Sequence, residues 1–250
     1  MKPLCDYHIH TTFSDGKNTP EEMVLAAIEK GVREMGFSDH SYTFFDDSYT
    51  IQLDKIAEYK REIARLKEKY KGKIKILCGI EQDFYSRTDA RGYDYAIGSV
   101  HSLKIGGQYL SVDEKEEKFV KIAEDFFGGD YIAFAKTYFD RIAKFAKRKE
   151  ITIIGHFDLI AKYNKNGKYF SEKDEGYIAA WKKAVDKLIA ANKTFEINTG
   201  SISRGWRNEP YPSDDIRAYI KEKGGKFVLS SDCHRAEILC FGFEKYLNEI

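Results

Sequence analysis

Short runs of aliphatic and β-branched residues alternate with longer amphipathic stretches along the whole 250-residue chain. The short runs predict strands at Leu4 to His10, Glu34 to Ser38, Ile74 to Glu81, Tyr95 to His101, Ile151 to His156, Thr194 to Asn198 and Lys226 to Asp232. Between the first two, Thr19-Pro20-Glu21-Glu22 supplies a capping threonine, a proline at the first helical position and a glutamate three residues after the cap, and Gly31 can end that helix. Apolar residues recur at helical spacing, with Lys and Glu on the other face, over Leu53 to Tyr70, Lys118 to Phe127, Tyr131 to Lys149, Lys173 to Ala191 and Ser213 to Lys223. No Pro-, Gly- or Ser-rich linker interrupts the alternation, so residues 1–250 read as one domain of parallel β/α units, an open doubly wound sheet or a closed barrel. No glycine-rich G-x-G-x-x-G or G-x-x-x-x-G-K-[ST] loop follows any strand, which favours the barrel.

Composition narrows the function. A hydrophobic content of 42% is enough for a substantial core, and 41 Lys and Arg against 40 Asp and Glu leave a balanced charge of +1. Neither an excess nor a cluster of cations suggests a phosphate-backbone partner, so nucleic acid is not expected. The amino terminus shows no apolar stretch after Lys2, and nothing approaches the roughly 18 apolar residues of a membrane span, which reads as a soluble, cytoplasmic protein without a membrane partner. Cys5, Cys78, Cys233 and Cys240 form no C-x-x-C pair and read as small buried hydrophobes.

The six histidines change the picture. His8, His10, His40, His101, His156 and His234 all fall at or just beyond the carboxyl end of a predicted strand, and none lies on a surface helix. In a parallel barrel or sheet those ends converge on one face. Asp15, Glu81 and Asp232 share the locations. His8 and His10, at i and i+2 of a strand, point to the same side, as do Asp232 and His234. An H-x-H pair alone is more often two hydrogen-bonded or surface histidines, Ser14-Asp15-Gly16 can be only a turn, and Glu81 can be only a salt-bridge partner. Gathered at one end of their strands, these residues point to divalent cations bound by neutral imidazole nitrogens and ionised carboxylates.

The same residues resemble a known family. The first-strand H-x-H, Asp15, Asp39-His40, Gly79-Ile80-Glu81, Gly98-Ser99-Val100-His101, Gly155-His156-Phe157-Asp158 and Ser231-Asp232-Cys233-His234 are similar, in order, to the motifs of the polymerase and histidinol phosphatase (PHP) superfamily. The resemblance implies a distorted seven-stranded β/α barrel with three divalent metal ions, zinc favoured and Mn, Fe or Co also accepted. It assigns His8, His10, Glu81 and Asp232 to one ion, Glu81, His101 and His156 to a second, and Asp15, His40 and His234 to a third. Within the superfamily, Gly106 to Asp113, and Glu196 to Thr199 through Arg204-Gly205 to Glu209-Pro210-Tyr211-Pro212-Ser213, are similar to segments of monofunctional histidinol-phosphate phosphatases.

That likeness implies hydrolysis of a small phosphomonoester, with Arg204 and its neighbour Arg207 as candidate phosphate ligands and Lys162 where a second family arginine falls. Asp158 is a candidate proton shuttle or a partner of a ligand histidine. Tyr42, Phe44, Phe84, Tyr85 and Tyr211, with Asp83 and Glu209, are candidates for gripping an imidazole ring and an amine. Rival readings are a phosphodiesterase or nuclease and a metal-binding barrel without turnover. Nothing in the sequence sets an oligomeric state.

Overall fold

The structure, a computed structural model, describes residues 4–250; Met1 and Lys2, read above for a leader, lie outside the described residues. Seven parallel strands form one sheet: β1 (Cys5–Asp6), β2 (Glu34–Phe37), β3 (Lys75–Asp83), β4 (Tyr95–Ser99), β7 (Ile153–Ile154), β8 (Thr194–Asn198) and β9 (Lys226–Ser230), hydrogen-bonded in that order. All seven predicted strands are present, several shortened. The sheet curls back on itself just beyond its two edges, where the His10 amide donates to the Cys233 carbonyl at 3.0 Å and the Cys233 amide to the His8 carbonyl at 3.2 Å. Closer to the strands themselves, the buried Asp6 carboxylate replaces the missing ladder, accepting from the amides of Ser231, His8 and Cys240 and from the Ser231 hydroxyl.

The helices follow local signals. In α1 (Pro20–Glu29) the Glu22 amide donates to Thr19 Oγ1 and the Thr19 amide to Glu22 Oε2, the reciprocal cap expected from the sequence. A 3₁₀ turn at Leu53–Lys55 leads into α2 (Ile56–Lys69), and α3 (Glu116–Phe127) begins two residues before its predicted start. The predicted helix from Tyr131 is α4 (Tyr131–Ile142) followed by a 3₁₀ segment at Ala143–Lys147. Asp174 caps α5 (Glu175–Ala190), and α7 (Asp214–Glu222) follows Ser213, whose side chain makes no capping bond; its amide donates instead to Asp158 Oδ2. A two-stranded hairpin, β5 (Ser102–Ile105) with β6 (Gln108–Ser111), was not predicted and stands directly after His101. Its turn is Gly106-Gly107, with φ of 56° and 84°, the conformation a two-residue hairpin demands.

Polarity inside the barrel changes with height. Tyr95, Ile97 and Ile153 form a small apolar cluster with Tyr7, Leu77 and Val228. The Tyr95 ring lies where a Cβ on Gly36 or Gly79 would stand, and its hydroxyl donates to the Tyr7 and Phe37 carbonyls. Alternation along β3 then carries the same face from Leu77 through Gly79 to Glu81. The apolar floor thus gives way, within two side-chain layers, to carboxylates and imidazoles.

Candidate metal centre

The strand ends deliver the expected side chains to one place. Glu81, at the end of β3, is buried at the centre: its Oε2 lies 2.8 Å from His40 Nδ1, 3.2 Å from His8 Nε2 and 3.6 Å from His10 Nε2, while its Oε1 lies 3.0 Å from His156 Nε2 and 3.3 Å from His101 Nε2. Asp232 Oδ1 is 3.3 Å from His10 Nε2 and 3.9 Å from His8 Nε2. Asp15, in the turn after β1, reaches His234 at 3.2 Å, His40 at 3.7 Å and His10 at 3.8 Å. Three sets of donor atoms, His8-His10-Asp232, His40-Glu81-His101 and His10-Asp15-His40-His234, each fit around a single ion. His40 therefore reaches both Glu81 and Asp15.

The donor chemistry fits divalent cations. His8 Nε2, both ring nitrogens of His10 and Glu81 Oε2 are buried without a hydrogen bond, although each faces an oppositely disposed donor or acceptor at ion-pair distance. Polar atoms left so in a protein interior are costly unless something coordinates them. Burial would push the Glu81 carboxyl up, yet His40, His8 and His101 hold it well below the carboxylate range; Asp232, equally buried, is pulled down by Arg204 and His8. Against the opposing effect of burial, carboxylates draw His8 and His101 well above the usual imidazole value and His40 up as well, whereas burial and the neighbouring His234 and His40 hold His10 down to about 3. Protons on the raised histidines offset the carboxylates here, and cations would displace them.

Asp232 has a left-handed backbone, φ 52°, unusual for a residue that is not glycine and of a kind that concentrates at functional sites. Arg204 secures it, with Nη2 donating to Oδ2 and Nη1 to the main-chain oxygen, both at 2.8 Å. Gly200 makes room, since a Cβ there would lie 2.5 Å from Arg204 Nη2.

Above the cluster opens a cavity of about 840 Å³, lined among others by Asp15, Glu81, His101, His156, Asp232 and His234. Arg204 and Lys162 line it too, and so do Lys17, Arg235, Tyr49, Asp113, Trp206 and Tyr211. Tyr49 stands edge-on to His40 with ring centroids 5.0 Å apart. The other expected residues are placed elsewhere. Arg207 is buried on Glu172, Glu209 and the Ala161 carbonyl, and Glu209 also accepts from the Asp214 amide, so this pair ties the loop before α7 beside a different cavity. Asp158 faces that same side; burial pushes its carboxyl up to about 7 against the pull of Arg207. Asp83 Oδ2 sits 3.5 Å from His101 Nδ1. Phe44 and Tyr85 pack around Tyr109 of the hairpin, and Phe84 packs on Arg148 and Phe145, outside the cavity lining. Asp39 accepts from the Thr11 amide and hydroxyl and from Ser14, framing the turn that carries Asp15.

Sequence reasoning missed the function of Glu196 on β8. Its Oε1 lies 2.6 Å from His8 Nδ1, and its Oε2 accepts from the His156 amide at 3.0 Å and from Asn198 Nδ2 at 3.1 Å. With a carboxylate at Nδ1, His8 donates its proton there and presents Nε2 to the cluster. The signal was present in the sequence: in Phe195-Glu196-Ile197-Asn198 the polar residues take the barrel face.

The comparisons agree with this geometry. The chain matches the PHP domain over residues 6–200. A Deinococcus radiodurans protein described as "Probable histidinol-phosphatase" is 29% identical over 264 residues, covering 100% of this chain and 94% of that protein. A structure of histidinol phosphate phosphatase from Lactococcus lactis, solved with zinc, L-histidinol and phosphate, is 26% identical and superposes with a TM-score of 0.72 over 99% of this chain and 92% of that one. A Listeria monocytogenes structure, at 20% identity, shares the fold with a TM-score of 0.83, covering 97% and 99% of the two chains.

Proposed function

The chain belongs to the PHP domain family, and from that premise we propose that it is a metal-dependent phosphomonoesterase hydrolysing L-histidinol phosphate to L-histidinol and phosphate. The observation that carries the reading is the buried imidazole and carboxylate cluster with bare ligand atoms, open on one side to a cavity that also presents Arg204 and Lys162. The relatives named for that reaction, and the Lactococcus lactis structure holding zinc with L-histidinol and phosphate, support the substrate.

Three divalent ions, zinc favoured, would be held by His8, His10, Glu81 and Asp232; by Glu81, His101 and His156; and by Asp15, His40 and His234. When bound, such ions supply a hydroxide nucleophile near neutral pH and neutralise phosphoryl oxygens and the departing alkoxide. The chain's own residues do the rest. Arg204, about a third exposed and already fixed on Asp232, offers its remaining N–H groups to the phosphoryl oxygens, where charge grows in the transition state. Lys162, held by the Asp113 carbonyl at 2.6 Å, adds a point charge at the cavity wall. Trp206 and Tyr49 add aromatic surface to the lining of the same cavity. Histidine biosynthesis in the cytoplasm is the setting this reaction implies; no described helix is long and apolar enough to cross a membrane.

Phosphate release from L-histidinol phosphate, serinol phosphate, p-nitrophenyl phosphate and a short single-stranded DNA, under one set of metal conditions, tests the assignment. L-histidinol phosphate is expected to lead p-nitrophenyl phosphate by at least about a hundredfold in kcat/KM, because remote binding of the leaving group is converted into transition-state stabilisation. Equal turnover of the monoesters, or preferential cleavage of DNA, refutes it.

A further inference from the structure

The Lys and Arg residues that line the cavity above the metal ligands fall into two kinds. Arg204 is held on Asp232 at 2.8 Å, and Lys162 is held on Asp113, 2.6 Å from its carbonyl oxygen and 3.6 Å from its carboxylate. Lys17 and Arg235 line the same cavity but are exposed, and neither side chain makes a hydrogen bond, ion pair or ring contact with any described residue. The main chain brings these two together. The Lys17 amide donates to the His234 carbonyl at 2.8 Å, and the Ala236 amide donates to Asn18 Oδ1 at 3.0 Å. Before Lys17 the turn is tight: the Gly16 amide donates to the Thr11 carbonyl at 3.0 Å, and a Cβ on Gly16 would lie 2.5 Å from the Thr11 nitrogen. The backbone is thus pinned on both sides of Lys17, and Lys17 and Arg235 stand on one stretch of rim, beside Asp15 and His234.

We propose that Lys17 and Arg235 form an outer anion site on the cavity rim, which captures a phosphate dianion, the head group of an ester or inorganic phosphate, before it reaches Arg204 and Lys162. The inference rests on the phosphomonoesterase reading and is independent of which alcohol leaves. Asp15, Asp46 and Asp113 line the cavity as well, so an approaching dianion meets like charge there. Asp232 offsets the charge of Arg204, and Asp113 that of Lys162, which leaves the two rim cations as those least neutralised by a carboxylate. Arginine offers a planar fork of donors to phosphate oxygens, and lysine adds a point charge beside it. Long exposed side chains hold such an anion weakly. That weakness suits capture followed by transfer inward, since a tight outer site would retain the phosphate. A rim charge of this kind acts on the rate of encounter and on its dependence on salt, leaving the chemical step alone.

The test is the double variant Lys17→Gln with Arg235→Gln, compared with wild type on L-histidinol phosphate and on p-nitrophenyl phosphate. Salt is varied from about 0.01 M to about 1 M, over which the Debye length shrinks from about 30 Å to about 3 Å. At low salt the variant is expected to lose about three- to tenfold in kcat/KM on both esters, as for two exposed charge contacts, with kcat and metal content unchanged. The difference should shrink below about twofold at the high-salt end. Inhibition by inorganic phosphate should weaken at low salt by about the same three- to tenfold. Reversing the charges, with Lys17→Glu and Arg235→Glu, should enlarge every one of these losses. Equal kcat/KM in the two proteins at low salt, or a loss that salt does not diminish, overturns the proposal. A loss confined to L-histidinol phosphate also overturns it and makes the pair contacts of that leaving group, and a fall in metal content makes them supports of Asp15 and His234. Failure of wild type to hydrolyse either ester refutes the functional reading itself, an outcome distinct from a loss that ignores salt.

Discussion

Replacing Glu196 by glutamine is expected to weaken metal binding without unfolding the barrel. Glu196 accepts from His8 Nδ1 on one oxygen, at 2.6 Å, and from the His156 amide and Asn198 on the other. A glutamine of the same shape has a single acceptor oxygen. If it faces the His156 amide and Asn198, its NH₂ group meets His8 Nδ1 and forces the opposite tautomer, taking the proton to the nitrogen that faces Glu81 and Asp232; if it is turned around, two donors oppose one another at the His156 amide. Either way one charge-assisted bond of about 1.5 to 3 kcal/mol is lost in a buried setting. Outer partners of ligand histidines typically govern metal affinity by about ten- to a hundredfold, and a contact to two ligands places this residue toward the upper end. Zinc titration in competition with a chromophoric chelator reads the affinity directly, and proton NMR reads the low-field Nδ1–H of His8, which should disappear. Unchanged zinc affinity, or the low-field proton persisting in the variant, would refute the tautomer argument, and Glu196→Asp, which keeps the charge, should recover part of the loss.

Glu81→Ala should reduce metal content more than His40→Ala, because Glu81 contacts five of the histidines whereas His40 faces two of the carboxylates, Glu81 and Asp15; elemental analysis after gentle purification decides it. Arg204→Ala should weaken inhibition by inorganic phosphate about ten- to a hundredfold and, because Arg204 also clamps Asp232, lower zinc affinity. Arg207→Ala should instead leave phosphate inhibition unchanged and destabilise the fold by about 2 to 3 kcal/mol in thermal or urea unfolding, less than for a fully buried pair because Glu172 and Glu209 are partly exposed. For Asp158, whose carboxyl is raised to about 7 in the folded chain from an ordinary 3.8, the stability it contributes is complete below about pH 4 and is lost as pH rises through 7. Asp158→Asn should therefore flatten the fall of Tm across that window and be the more stable form at pH 8, while parallel Tm curves would show that this carboxyl is not held neutral.

Most of the ligand set was legible in the sequence for a geometric reason. Parallel strands in a barrel end on one face, so side chains at those ends become neighbours whatever their separation along the chain, and periodicity alone places His8, Glu81, His101, His156 and Asp232 at such ends. The rim obeys no such rule. Gly200–Ser203 forms a single helical turn that sends Arg204 toward Asp232 and, three residues later, Arg207 inward to Glu172, a divergence that no hydropathy pattern records. The hairpin at Ser102–Ser111 was signalled by Gly106-Gly107 between β-forming residues, yet which aromatic side chains it would gather depended on tertiary packing, and it drew Phe44, Phe45 and Tyr85 to Tyr109 and left Tyr49 to face the cavity.

The residues that sequence reasoning placed least well are on the rim: Arg207 and Glu209, in the loop before α7, stand beside a different cavity, while Tyr49 and Trp206, which it did not single out, line the cavity above the ligands. A cluster that activates water and binds phosphate would serve many esters, and the barrel fixes it rigidly through backbone closure at His10 and Cys233 and through Asp6. Discrimination must then come from groups set on connecting segments, whose charges can be exchanged without disturbing the ladder beneath. The two layers meet at Arg204, which lines the cavity and holds Asp232, whereas Glu196 lies beneath, on His8, the His156 amide and Asn198. Substitutions at Trp206, which lines the cavity without touching a ligand residue, should accordingly change which ester is chosen and leave metal content alone, whereas substitutions at Glu196 should lower metal content and with it the turnover of every ester alike.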